Sequence, residues 1–288
     1  MADITADLVK KLREKSGSRM MDCKKALDAT KDSAGKGNEG WLGAAEAWLR
    51  TQNLSSASAF QGRAAEEGLL GYKLAASGKA VTVVEMTANT DFVAKNPEFL
   101  KLLNDLVDLA DEKAVDSAEK LKALSIHGVP VSEAVNALTG KIGENISIKR
   151  VARVEGDFGY YIHFDNKQGA IVEVGGVSGE KAQALGKDIS MHIVFAKPTC
   201  LVREEVSQEL IKKETEIATE RLKSDPKNAN KPPEILAKII SGQVNKFYST
   251  LVLPDQPYYK DGNKTVAQVL NESGATVKRF VRFQVGVV

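Results

Sequence analysis

An aspartate and a phenylalanine, Asp91 and Phe92, stand where a run of β-branched residues stops and a helix starts. The run is Val81-Thr82-Val83-Val84-Glu85-Met86-Thr87, and the helix is announced by Asn96 as N-cap and Pro97 at its first position. Connections of this kind lie on the surface and often carry function. An aromatic there packs back onto its own core or acts as a wedge in another molecule. A carboxylate beside it can fix the loop or accept a hydrogen bond from a partner.

The remaining chemistry-bearing residues point away from catalysis. His127, His163 and His192 are scattered, without the His-x-x-x-His or Glu-x-x-His spacing of a metal site, and no spacing sets a nucleophile beside them. No metal, cofactor or catalytic residue is expected. Gly35-Lys36-Gly37-Asn38-Glu39-Gly40 fits G-x-G-x-x-G formally, but helical sequence flanks it where a dinucleotide site needs a strand before it. It reads as a flexible insertion. No G-x-x-x-x-G-K-[ST] is present, so direct nucleotide binding through a phosphate loop is not expected. Forty basic against thirty-eight acidic residues give a net charge of +2, too balanced for a protein held mainly by phosphates. The expected partner is a protein, not nucleic acid or a membrane.

No apolar run approaches a membrane span, and the N-terminus lacks a secretory or transit pattern. Cys23 and Cys200 lie far apart and read as buried small hydrophobes in a reducing compartment. A cytoplasmic location is expected, or an organelle matrix for a processed form.

These residues need a scaffold. Thr5 is an N-cap candidate for a helix carrying Leu8, Val9 and Leu12, and Gly17 ends it. A second helix runs from about Met20 to Ala29, and a third carries Leu42, Ala45, Trp48 and Leu49. Adjacent helical residues point about 100° apart, so Met20 and Met21 cannot both centre one buried face. One is expected in the core and the other on a surface suited to binding protein. Residues 52–61 read as a linker.

An internal repeat follows. Gly68, Gly71, Tyr72, Lys79, Val83, Val84 and Glu85 match Gly156, Gly159, Tyr160, Lys167, Ile171, Val172 and Glu173 at a constant offset (159 − 71 and 173 − 85 both give 88). Each copy reads as strand, turn, strand, helix, with Ala76-Ser77-Gly78 and Asp165-Asn166-Lys167 as turns. At the same offset Phe92 faces Glu180, so the shared architecture does not require an apolar residue there. Beyond the second copy, residues 203–223 carry Val206, Leu210, Ile217 and Leu222 as one stripe. A break at Asp225–Pro233 precedes a helix with Ile235, Leu236, Ile239, Ile240, Val244 and Phe247, which together read as an antiparallel helical hairpin. Phe280–Val285 alternates as a last strand.

Three separated motifs resemble the translation elongation factor Ts family. They are Leu12–Gly17 with Met20–Leu27, Thr90-Asp91-Phe92-Val93-Ala94, and Lys141-Ile142-Gly143-Glu144-Asn145-Ile146 followed by Lys149-Arg150. The resemblance implies an α+β fold. It would comprise a bundle similar to ubiquitin-associated domains (1–55), two duplicated hairpin-plus-helix core subdomains (56–150; 151–200 with 246–288) and a coiled-coil hairpin (201–245). It implies a non-enzymatic exchange factor that binds elongation factor Tu and promotes GDP release. Arg13, Met20 and Met21 would meet the partner's GTP-binding domain, and Thr90, Asp91, Phe92 and Val93 would lie toward its magnesium site. His163 would lie near the partner's third domain, with Ile142, Gly143 and Lys187 also in contact. A dimer or a heterotetramer with the partner is compatible with the hairpin. The alternative is an adaptor that holds a protein without changing its nucleotide state.

Overall fold

The computed structural model describes residues 3–224 and 231–287, so residues 225–230 of the expected break at Asp225–Pro233 lie outside them. Helices and sheets are mixed, as an α+β fold requires. The chain divides into two compact units, Met1–Arg153 with Gln284–Val288, and Val154–Phe283.

The first unit begins with α1 (Ala6–Ser16), α2 (Met20–Ala29) and α3 (Gly37–Ser56). Thr5 Oγ accepts the Leu8 N–H at 3.2 Å, and Gly17 closes α1 with φ +64°, a left-handed value that glycine adopts without strain. Leu8, Val9, Leu12, Cys23, Ala26, Leu27, Trp41, Ala45 and Leu49 form the core of these helices. Two expectations fail here. Residues 52–56 continue α3, because a stretch rich in Gln, Asn and Ser lacks the Pro or Gly that would stop a helix. The Gly-rich segment is no loose insertion either: Lys31–Lys36 forms a 3-10 turn that leads directly into α3.

β1 (Glu67–Leu74) and β2 (Ala80–Ala88) then form a hairpin. After it come α4 (Asp91–Ala94), α5 (Pro97–Glu112), α6 (Ala118–Lys122), a small ribbon of β3 (Ser125–Ile126) and β4 (Val129–Pro130), α7 (Val131–Ile142) and β5 (Ser147–Glu155). Asn96 caps α5 by accepting the Glu98 N–H at 2.8 Å, with Pro97 following it. α5 lies on β1 and β2, and its buried Phe99, Leu103, Leu106 and Val107 join Val84 and Met86 in the core.

The second unit holds β6 (Phe158–Ile162), β7 (Gln168–Gly175), α8 (Gly179–Ala196), α9 (Gln208–Ser224), α10 (Pro233–Leu251), β8 (Pro257–Tyr258), β9 (Asp261–Thr265), α11 (Val266–Ser273) and β10 (Thr276–Gln284). α9 and α10 pack on each other. Their apolar residues stay largely half-exposed, and Leu210 and Ile235 are open to solvent. Val206 is buried but precedes the helix rather than starting its stripe. Cys200 is half-buried, unlike Cys23, and both are free thiols.

The repeat survives at the level of hydrogen-bond register. Gly71 pairs with Val84 and Tyr72 with Val83 in the first hairpin; Gly159 pairs with Val172 and Tyr160 with Ile171 in the second. Sheet order is β1-β2-β5 in one unit and β6-β7-β10 in the other, so each hairpin gains a third strand on the same side. A carboxylate on the middle strand grips an arginine of the third strand in both. Glu85 reaches Arg150 at 2.7 Å, and Glu173 reaches Arg279 at 2.8 Å.

Candidate functional site

α4 is a single turn with opposed faces. Val93 and Ala94 are 6% and 2% exposed and belong to the core of the first unit, whereas Phe92 is 80% exposed. Val93, expected as a contact residue, is therefore turned inward and anchors the turn. Asp91 is held on the outer side by Lys95 at 2.8 Å. Just before the turn, Thr90 donates its N–H and its hydroxyl to the Glu144 carboxylate, at 3.1 and 3.0 Å. An exposed phenylalanine thus sits on a turn fastened from both ends, by apolar burial behind and a charged acceptor in front.

Glu144 ties this turn to the other motifs. It follows Ile142, half-buried against the core, and Gly143, which closes α7 with φ +84°. A Cβ on Gly143 would come within 2.7 Å of the Arg19 guanidinium, so the residue before α2 lies directly against it. The Phe60 ring completes the junction, with the Arg63 guanidinium 4.9 Å and that of Arg19 5.8 Å from its centre. Next to it, Asn89 Oδ1 accepts the Asn145 N–H at 2.7 Å. A second link joins Lys141 of α7 to Glu98 of α5 at 2.5 Å, right where Gly17 ends α1. Residues far apart in sequence (17–19, 89–98 and 141–145) are in direct contact.

Met20 and Met21 open α2 at this junction, 51% and 61% exposed. The expectation of one core methionine fails because Cys23, Ala26 and Leu27 already fill the buried face of a ten-residue helix. Arg13 is also exposed, on α1.

In the second unit His163 lies at the end of β6, its Nδ1 2.8 Å from the Tyr161 hydroxyl. Its ring stands 4.5 Å from that of Phe164, which is 89% exposed. Lys187 is exposed on α8, beside Gly186, where the helix backbone touches Gly159 of β6.

The family model described as Elongation factor TS matches residues 89–287. Elongation factor Ts of an Azoarcus species is 41% identical over 99% of this chain and 92% of its own length. The corresponding protein of Deinococcus deserti is 39% identical, over 96% of this chain and 98% of its own. That of Methylococcus capsulatus is 38% identical, over 98% and 92%.

The chain belongs to the elongation factor Ts family. It is therefore a translation elongation factor, a component of protein biosynthesis. Among the described residues, no cluster of three His, Cys, Asp or Glu could hold a metal ion. No helix among them is long and apolar enough to cross a membrane. Sequence reasoning gave Glu144 only as part of a motif and did not single out Arg19 or Phe164. Glu144 and Arg19 act through non-local contacts that spacing does not reveal. Phe164 had a signal: an aromatic directly before Asp165-Asn166-Lys167, a turn whose tip faces solvent.

Proposed function

We propose that this family member binds elongation factor Tu and accelerates release of its GDP, neither binding nucleotide itself nor catalysing a covalent reaction. The observation that carries this reading is the exposure of Phe92 on a turn anchored by Val93, Ala94 and Glu144. A side chain carried on an anchored turn needs little backbone ordering when it meets a partner, so less entropy offsets the contact. Asp91 and Phe92 form the working edge, directed at the partner's magnesium and phosphate site. Arg13, Met20, Met21, Ile142 and Gly143 complete the grip on its nucleotide-binding domain, while His163 and Lys187 hold its third domain. α1–α3 serve as the ubiquitin-associated-like module and α9–α10 as the coiled-coil hairpin.

Exchange by this route is a negative coupling. The factor binds the empty partner more tightly than the GDP-bound one, and GDP weakens the factor by the same ratio. Release of fluorescent GDP from the matching elongation factor Tu tests the proposal. Acceleration at substoichiometric amounts is expected. A stable complex with an unchanged release rate would identify an adaptor instead.

A further inference from the structure

The first unit contains an open groove of about 700 Å³, lined by the end of α1 and by α3, α5 and α7 and not by Phe92. Its size falls in the range of small-molecule sites. The floor is apolar, built of Leu49, Leu102 and Leu138 with Ala134 and Ala137, and the exposed Ala47 also lines the groove. The rim is charged and unevenly matched. Lys15, Arg50, Lys101 and Lys141 face Glu46, Glu98 and Asp105, four cations against three carboxylates.

Each carboxylate is already engaged. Glu46 holds Lys15 at 2.9 Å, Glu98 holds Lys141 at 2.5 Å, and Asp105 holds Lys101 at 2.8 Å. His127 also lies on Asp105, its Nε2 at 2.9 Å. Burial pushes the Asp105 carboxyl upward, but the bonds from Lys101 and His127 outweigh it and hold it below the usual range. Arg50 is the remaining cation, with no ion pair among the described residues.

We propose that this groove binds a small amphiphilic carboxylate, its apolar body on the leucine floor and its head on Arg50. One surplus positive charge matches a monoanion, and the planar guanidinium fork matches a carboxylate. The apolar floor excludes a fully hydrophilic anion as the best occupant. The site is independent of the partner-binding reading above, since neither Phe92 nor the methionines line it.

Decanoate and decan-1-ol are the probes, titrated calorimetrically into the full chain. Wild type should bind decanoate more tightly than the alcohol. Arg50→Gln, at an exposed helix position, should weaken decanoate at least about tenfold and leave the alcohol unchanged. Ala47→Trp, also exposed on α3, should fill the groove and weaken both ligands. Circular dichroism melts identify any variant that has lost its fold, and either variant alone then suffices. Absence of decanoate binding up to its solubility limit would overturn the proposal. So would equal affinity for acid and alcohol, or affinity that a folded variant leaves unchanged.

Discussion

Phe92→Ala separates the two roles a phenylalanine can have. With 80% of its surface already in water, Phe92 contributes little to folding, so the variant should unfold within about 0.5 kcal/mol of wild type. Complete burial of a phenylalanine is worth roughly 1.5–3 kcal/mol. The exposed fraction therefore leaves about 1.2–2.4 kcal/mol for a partner to claim. At ~1.4 kcal/mol per decade this is roughly seven- to fifty-fold. The wedge reading assigns that energy to the state in which GDP is leaving rather than to the ground-state complex. GDP release from elongation factor Tu should consequently slow by about this factor, while affinity for the nucleotide-free partner falls less. Stopped-flow release and equilibrium binding measure the two quantities separately. Equal losses in both would make Phe92 an ordinary contact residue and refute the reasoning, and so would a destabilisation of several kcal/mol.

Six other substitutions test further parts of the structure. Val93→Ala removes buried methyl groups and should cost about 1.5–3 kcal/mol by urea unfolding, the opposite of the adjacent Phe92→Ala. Glu144→Ala frees both Thr90 donors and should slow GDP release about tenfold, whereas Glu144→Gln, which keeps an acceptor, should restore most of it. His192 is buried as neutral imidazole, Nε2 2.9 Å from Gln256 Oε1 and Nδ1 accepting the Tyr259 N–H at 3.3 Å. Burial depresses its pKa, against a smaller opposing effect of the Gln256 bond. Its contribution is thus complete above about pH 6.5 and lost as pH falls toward the native pKa, since only the unfolded chain takes up the proton. Urea unfolding from pH 7.5 to 5 should show that slope, and His192→Gln should flatten it. A Cβ at Gly159 would lie 2.1 Å from the Gly186 backbone, but one at Gly71 would meet side chains alone, Val107 Cγ2 at 2.7 Å and Leu103 Cγ at 2.9 Å. Gly159→Ala should cost about 3 kcal/mol or more and Gly71→Ala about 1 kcal/mol in the same assay.

What the sequence made legible was what local chemistry dictates. Thr5, Gly17, Asn96 and Pro97 marked helix ends correctly because caps act over three or four residues. The offset of 88 residues carried over into strand register because Gly71 and Gly159 each sit where the chain packs too closely for a Cβ, and a one-residue slip would move each to the opposite face. The failures involved tertiary contacts. Residues 52–56 remain helical where α3 meets α7 so closely that a Cβ on Gly140 would strike the Asn53 carbonyl. The links from Arg19 to Gly143 and from Glu144 to Thr90 join segments separated by more than fifty residues, and no periodicity announces them.

The repeat also explains how Phe92 comes to be displayed. Thr90 and Ser178 are equivalent under the offset, and each is the N-cap of the helix that follows the second strand of its hairpin. Four residues on, Ala94 and Ala182 are both buried. Between them, Phe92 and Glu180 occupy the same outward position, exposed in each unit. Glutamate is what a solvated helix start favours. In the second unit the helix runs unbroken from Gly179 to Ala196, but in the first it stops after Ala94 and restarts at Pro97. Asn96-Pro97 accounts for the break, since proline disfavours a helical residue before it and cannot continue the hydrogen-bond ladder. One turn is thereby detached from the scaffold helix, pinned by Val93, Ala94 and Glu144, and given an apolar side chain where its duplicate carries a charge. A fold that needed Phe92 for its own core would have buried it, so its exposure on an anchored turn argues for a surface outside this chain.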